Sequence, residues 1–306
     1  MNIVFMGTPA FAATCLSALL DCGRSIVGVY TKPDTPKNRG MKMMMSEVKE
    51  LACAHHLPVF QPTTFKDDNV VEELRSLQPD LIVAVAYGKI LPQRVLDIPK
   101  LGCINIHGSI LPALRGSAPV QWAVLKDLPE TGVTAMYLSA GMDEGDIIAV
   151  RKTPIGENES AGELMERLAG IGAELLKETV DAIEAGTASR TPQDPSQASY
   201  APMLSKELCP IDFSRKAKEI LAQIRGLNPW PVATAELGGT FFKIYEARPF
   251  PTDRRCAPGT PLALTKKGLA VACSDGAILI TRLQATGGKV MGAPDYFRGH
   301  PISIEG

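Results

Sequence analysis

The sequence predicts an α/β domain built on a doubly wound parallel sheet, followed by a small β-barrel domain. Three observations carry this. Short apolar runs alternate with helical patterns over the first two thirds of the chain, as in α/β domains. One of these runs, Leu81-Ile82-Val83-Ala84-Val85-Ala86, is unbroken, as a central parallel strand buried on both faces requires. After a polar, proline-bearing stretch, Thr187 to Ser205, the pattern changes to short β-like segments separated by Gly and Pro. At 306 residues the chain also exceeds what one hydrophobic core usually organises.

The first strand is Asn2 to Met6, closed by Gly7-Thr8-Pro9. Phe11, Cys15, Leu16, Leu19 and Leu20 then recur at helical spacing, and Ile26 to Tyr30 reads as a second strand. Cys103 to Ile106 and Val133 to Leu138 continue the strand series after Leu81 to Ala86. Helical stretches are predicted over Ser46 to His55, Asn69 to Leu77, Ala118 to Leu125 and Ala161 to Ala185. The expected boundaries are 1–189 for the first domain, 190–207 for a linker and 208–306 for the second domain. Within the latter, Ala217 to Arg225 reads as a helix stopped by Asn228-Pro229-Trp230-Pro231. Strands are expected at Ala233 to Leu237, Thr240 to Ala247, Leu262 to Leu264, Leu269 to Ala272 and Ala277 to Leu283.

Composition narrows the function classes. Hydrophobic residues make up 45% and charged residues 21%, the range of ordinary globular proteins. The longest apolar runs fall short of the roughly 18 residues of a membrane span, and Met1 to Phe5 lacks the basic start of a secretory signal, so a cytoplasmic location is expected. The seven cysteines form no CxxC pair and the four histidines no HExxH or HxxxH pair; free thiols and no metal are expected. Net charge is -1, but from Lys206 onward 14 Lys and Arg face 9 Asp and Glu, which points the second domain toward an anionic partner.

The turn Gly7-Thr8-Pro9-Ala10-Phe11 lacks the GxGxxG of a dinucleotide site, and no GxxxxGK[ST] phosphate loop occurs. The informative stretch is Asn105-Ile106-His107-Gly108-Ser109-Ile110-Leu111-Pro112. In an extended strand Asn105 and His107 lie on one face, and a buried strand tolerates an amide and an imidazole only where they face a polar cleft or find partners. Gly141-Met142-Asp143-Glu144-Gly145-Asp146 closes the next strand with glycines that allow a tight path, and its Asp143 could reach a neighbouring strand end. A carboxylate beside a histidine fixes its tautomer and favours the imidazolium, and a carboxamide donates to a developing oxyanion, a combination suited to acyl-type transfer to an amine. Taken singly, a strand-end histidine is more often a satisfied structural group, and Asn or Asp near glycines more often a turn former.

The linked pattern Asn105 to Pro112, Arg115-Gly116-Ser117-Ala118-Pro119 and Gly141 to Asp146 resembles the folate-dependent formyltransferases. Through Thr31-Lys32-Pro33-Asp34, the loop up to Lys42, Val59-Phe60-Gln61-Pro62 and Arg225 to Pro231, the similarity is closest to the group whose acceptor is methionyl initiator tRNA, over nearly the whole chain. The resemblance implies a Rossmann-like catalytic domain joined to an OB-like carboxyl-terminal barrel. It implies that Asn105 and His107 flank the formyl carbon of 10-formyltetrahydrofolate, that Asp143 holds and charges His107, and that Ser109, Ile110, Leu111 and Pro112 line the folate site. No metal and no covalent nucleophile are implied.

Residues 32–45 carry Lys32, Lys37, Arg39 and Lys42 with Pro and Gly, the composition of a surface loop. The resemblance implies that this loop enters the acceptor end of tRNA, with Arg39 and Lys42 in contact. In the second domain Lys216, Lys218, Arg248, Arg254, Arg255, Lys266, Lys267 and Lys289 are candidates for the phosphate backbone. A monomer is expected. Two alternatives stay open: a folate-dependent formyltransferase for a small amine, such as a purine precursor or an amino sugar nucleotide, and a non-catalytic RNA-binding protein.

Overall fold

The computed structural model describes residues 1–37, 42–254 and 256–304. The chain divides into two compact units. Unit 1 comprises Met1–Pro119, Thr131–Thr153 and Met165–Ala201; unit 2 comprises Val120–Glu130, Pro154–Leu164 and Pro202–Gly306. Within the segment that the sequence marks as a linker, residues up to Ala201 therefore belong to unit 1.

The elements in chain order begin with β1 (Asn2–Gly7), α1 (Ala10–Asp21), β2 (Ser25–Tyr30), β3 (Thr35–Lys37), β4 (Lys42–Met44), α2 (Glu47–Ala54) and β5 (Val59–Phe60). They continue with α3 (Asp68–Ser76), β6 (Leu81–Val85), α4 (Gln93–Leu96), β7 (Cys103–His107), α5 (Pro119–Leu125), β8 (Glu130–Tyr137), β9 (Ile147–Pro154) and α6 (Ala161–Glu184). Helix starts follow local chemistry. Ser46 Oγ accepts from Lys49 N at 3.1 Å and Asp67 Oδ1 from Asn69 N at 2.9 Å, satisfying first-turn donors that would otherwise have no partner.

The main sheet has the order β5-β2-β1-β6-β7-β8-β9. It is parallel from β5 through β7, with Phe5 opposite Val83 and Ala84 opposite Asn105. β8 then runs antiparallel to β7, placing Met136 opposite Asn105 and Thr134 opposite His107. The sheet is thus mixed at this edge rather than parallel throughout. An unbroken apolar run reports burial on both faces and says nothing of direction, so Val133 to Leu138 reads the same either way. Chain order reverses between β1 and β6, where the carboxyl ends Gly7 and Val85 lie side by side. Ligands of open α/β sheets bind at such a point, and β7 is the next strand along.

One face of this sheet packs Val4, Met6, Ile82 and Ala84 against Val71, Leu74, Val95 and an aromatic group of Tyr30, Phe60, Phe65 and Tyr87. The Tyr30 and Phe60 rings stack with centroids 4.8 Å apart. Residues 35–44, composed like a surface loop, include the antiparallel ribbon β3–β4, in which Lys37 pairs with Lys42. Arg39 lies outside the described residues, and Lys42 is described by its backbone in β4.

Unit 2 contains α7 (Ala217–Gly226), β10 (Ala233–Leu237), β11 (Thr240–Phe250), β12 (Pro261–Leu264), β13 (Leu269–Cys273), β14 (Gly276–Ala285), β15 (Met291–Gly292) and α8 (Ala293–Gly299). The strands form an antiparallel sheet of order β10-β11-β14-β13-β12, with β15 on β14. Shifts in the β11–β14 register between Ile244 and Ala247 bend the long strands, the usual effect of a bulge. No helix among the described residues is long and apolar enough to cross a membrane.

Candidate active site

β7 carries Asn105 and His107 on one face at its carboxyl end, Asn105 half-buried and His107 buried. The Asn105 carboxamide makes no side-chain hydrogen bond to a described residue. A half-buried amide in that state is open to a ligand oxygen or hydrogen, since burial without a partner would cost about 1–3 kcal/mol. The His107 ring is tied on both edges. Its Nε2 lies 2.9 Å from Leu114 O, and a carbonyl can only accept, so Nε2 carries the proton. Its Nδ1 faces Asp143 Oδ1 at 3.7 Å, with the side chains 6% and 15% exposed.

Asp143 arrives from the turn after β8. Its backbone is left-handed, φ +53°, uncommon for a residue with a side chain. Its Oδ2 accepts from Gly116 N at 2.8 Å. Gly116 sits at φ +112°, and a Cβ there would fall 2.8 Å from Ala201 O, so only glycine presents this amide without displacing backbone. Gly145 is similarly constrained, since a Cβ there would overlap Tyr137 O.

The loop after β7 is pinned from beneath by Thr134. Its Oγ1 donates to Ser109 O at 2.7 Å and accepts from Leu111 N at 3.2 Å. Ser109 is buried, and its Oγ donates to Ala113 O at 2.6 Å. The Ser109 hydroxyl proton is therefore spent on structure. Leu111 is buried, whereas Ile110 and Pro112 are half-buried, leaving part of both accessible. Near the end of β6, burial and then the neighbouring Lys32 ammonium push the Lys89 ammonium below its ordinary value, so two cations share that stretch.

The structure therefore brings Asn105, His107 and Asp143, with the loop 109–112, to one strand end. Four contributors carry no sequence signal of their own. Thr134 sits in an apolar run, Gly116 is a glycine in a loop, and Gln193 and Ser199 lie in the polar stretch after α6. Arg115 is visible only within the longer motif; its guanidinium is buried, 3.4 Å from Glu144 Oε1. Among the described residues no group of three or more His, Cys, Asp or Glu is placed to hold a metal ion.

In unit 2 the candidate cations divide by partner. Lys218 pairs with Asp127 at 2.9 Å and Arg248 with Glu246 at 2.6 Å, so neither charge is uncompensated. Lys216, Lys266, Lys267 and Lys289 are exposed, as is Arg254, which reaches Leu262 O at 3.4 Å. Arg255 lies outside the described residues.

Comparison with known proteins gives a consistent set of likenesses. The formyl transferase family model matches residues 1–180, and the model of the formyl transferase C-terminal domain matches residues 203–301. The methionyl-tRNA formyltransferase of Alkaliphilus oremlandii is 44% identical over 302 residues, covering 99% of this chain and 97% of the relative. That of Stutzerimonas stutzeri is 48% identical over 297 residues, covering 97% and 94%. Among solved structures, HypX from Aquifex aeolicus in complex with tetrahydrofolic acid superposes with a TM-score of 0.66 at 20% identity, covering 100% of this chain; this chain spans 48% of HypX. The N-formyltransferase from Helicobacter canadensis, in complex with folinic acid and dTDP-3-aminofucose, gives 0.68 at 21% identity, covering 91% and 98%. At such identities the two structures speak to the fold alone.

Proposed function

The chain belongs to the formyl transferase family, and within it to the methionyl-tRNA formyltransferases, and from that premise we propose that it moves the formyl group of 10-formyltetrahydrofolate to the α-amine of methionyl initiator tRNA, with Asn105, His107 and Asp143 at the reacting centre. One observation carries the assignment of residues. A carboxamide without a side-chain partner and a histidine held between Leu114 O and Asp143 occupy one face of a strand end beside the sheet's switch point.

The chemistry asks little beyond alignment. The amine nitrogen attacks the formyl carbon, the carbonyl π pair moves onto oxygen, and a tetrahedral intermediate forms. Its collapse breaks the carbon–nitrogen bond to the folate. One proton leaves the attacking nitrogen and one is taken up by the departing one. Asn105 Nδ2 donates to the oxygen as charge builds, an interaction stronger in the transition state than in the ground state. His107 lies beside it, its Nε2 bonded to Leu114 O and its Nδ1 edge facing the Asp143 carboxylate at 3.7 Å, where positive charge gathered on the ring during transfer meets an opposite charge. Asp143 holds that ring and helps collect the proton that leaves the amine. Ser109, Ile110, Leu111 and Pro112 wall the folate side, Ser109 through its backbone because its hydroxyl is engaged.

The acceptor is large and polyanionic, and the ribbon β3–β4 is the proposed element that meets its end, through Arg39 and Lys42. The exposed Lys216, Arg254, Lys266, Lys267 and Lys289 are available to phosphates. The protein is proposed to act as a cytoplasmic monomer.

The test is direct. Pure protein is incubated with 10-formyltetrahydrofolate and either methionyl initiator tRNA or free small amines, and N-formyl product is measured. Product on the tRNA alone is expected. Product only on small amines would move the assignment to a small-molecule formyltransferase, and none on any amine would leave a binding protein.

A further inference from the structure

We propose that Gln193 and Ser199 are positioning residues of the reaction, two points of a polar strap over residues 191–201 that returns after α6 and holds Asp143 and Leu114 against the His107 ring. The proposal rests on the roles of His107 and Asp143 given above.

The strap is itself anchored by backbone. Thr191 and Ile147 exchange hydrogen bonds of 3.0 and 2.8 Å, Arg115 N donates to Ser199 O at 2.8 Å, and Ala201 N donates to Arg115 O at 2.7 Å. Ser117 N and Ala118 N both reach Ala201 O, at 3.0 and 3.2 Å. Between these ends the Gln193 carboxamide uses its full hydrogen-bonding capacity. Its Nε2 donates to Asp143 O at 2.9 Å and to Gly145 O at 2.8 Å. Its Oε1 accepts from Arg115 Nε at 3.1 Å and Nη2 at 2.8 Å.

Each of these bonds answers a need. Asp143 is left-handed at φ +53°, a conformation that costs about 1–3 kcal/mol and persists only where its surroundings enforce it. Its hydrogen bonds outside its own turn are from Gln193 to the carbonyl and from Gly116 to the carboxylate. The Arg115 guanidinium is 3% exposed, and a buried cation must be paired and hydrogen-bonded. Among the side chains of this length, only glutamine offers two donors to the carbonyls of the turn and an acceptor to the arginine. Glutamate supplies the acceptor and sets an oxygen against two carbonyl oxygens.

Ser199 acts on the other edge of the imidazole. Its Oγ accepts from Leu114 N at 3.0 Å, and Leu114 O is the acceptor of His107 Nε2. Leu114 is also left-handed, φ +60°, so its carbonyl points at the ring only while the loop is held. One strap thus sets both partners of the catalytic histidine.

Gln193→Glu separates positioning from stability. The carboxylate still pairs with Arg115, which offsets part of what the loss of two donors to the Asp143 turn costs, so the variant should stay folded with a melting temperature lowered by a few degrees. The expected result is a kcat lowered about tenfold to a hundredfold, the scale of a misplacement of about 1 Å at a reacting centre, with KM for both substrates within about twofold. Ser199→Ala, which deletes one oxygen, should lower kcat to a lesser degree with KM again unchanged, and it keeps the strap testable if the glutamate variant fails to fold. A wild-type kcat in both variants, while Asp143→Asn is impaired, would overturn the strap and leave the site. A fall in kcat that tracks a fall in melting temperature, with KM rising alongside, would assign the strap to folding alone. Asp143→Asn at the wild-type rate would remove the underlying roles and the strap with them.

Discussion

Replacing Asp143 by Asn removes a charge and little else. The two side chains are nearly isosteric, and the Asn oxygen can still accept from Gly116 N, which lies 2.8 Å from Asp143 Oδ2. What is lost is the attraction between the carboxylate and the positive charge that the proposed transfer places on the His107 ring, whose Nδ1 is 3.7 Å from Oδ1. At an effective dielectric constant of about 20, unit charges about 4 Å apart attract by about 4 kcal/mol. The side chains are 6% and 15% exposed, so screening by solvent takes away a minor part. At about 1.4 kcal/mol per tenfold in rate, the ceiling is about a thousandfold, and a loss of kcat of at least about a hundredfold is expected. The assay is single-turnover transfer from 10-formyltetrahydrofolate to methionyl-tRNA, read as N-formylmethionine after hydrolysis of the ester, with a melting curve beside it. A folded variant within about threefold of wild type would show that the charge of Asp143 takes no part in the rate-limiting barrier.

Asn105→Ala should lower kcat by about a hundredfold or more, the cost of losing one oxyanion donor, without loss of folding; wild-type turnover would exclude the amide from the mechanism. For the thiols, alkylation by iodoacetamide followed by mass spectrometry should modify the exposed Cys22 and Cys53 first. Cys15 and Cys103, pushed up to about 12 chiefly by burial, should react only after denaturation. Burial alone would raise the Asp127 carboxyl, but hydrogen bonds and charge from Lys218 and Arg225 outweigh it and hold the group below the ordinary 3.8. A depressed folded-state value stabilises the fold above about pH 4 and is lost as pH falls through that value. The stability gap between wild type and Asp127→Asn should therefore be constant at neutral pH and close in stronger acid, measured by denaturant titration; a gap independent of pH would refute the assignment.

How much of this the sequence discloses depends on whether a residue's role is local. Strands β1, β2, β6 and β7 are legible because burial on two faces leaves unbroken apolar runs, and α6 because its apolar residues recur at helical spacing. β8 is legible as a strand but not in its direction, which is set by the connection and by pairing with β7. The short β5 and β15, two residues each, and α8 give too little periodicity to read. In the site, Asn105 and His107 stand out because polar side chains in a buried strand need a reason. Asp143 stands out only through its glycines and the family pattern. Gln193 and Ser199 do not stand out at all. Their neighbours Thr191, Pro192, Asp194, Pro195 and Ser196 have the composition of any exposed connector, and the carbonyls and guanidinium they serve are more than 40 residues away in the chain.

Unit 1 is assembled from three separate stretches of chain, the last of which ends at Ala201. Synthesis on a ribosome proceeds from one end, so β7 and the turn bearing Asp143 emerge long before Thr191 to Ala201 do. Until then the amides of Arg115, Ser117 and Ala118 have no Ser199 or Ala201 carbonyl to bind. Closing pairs so distant in the chain is slow, because the loop entropy is lost before the contacts are gained. A nascent chain halted near residue 189 should thus hold most of its sheet while the two partners of the His107 ring, Leu114 and Asp143, still lack Ser199 and Gln193.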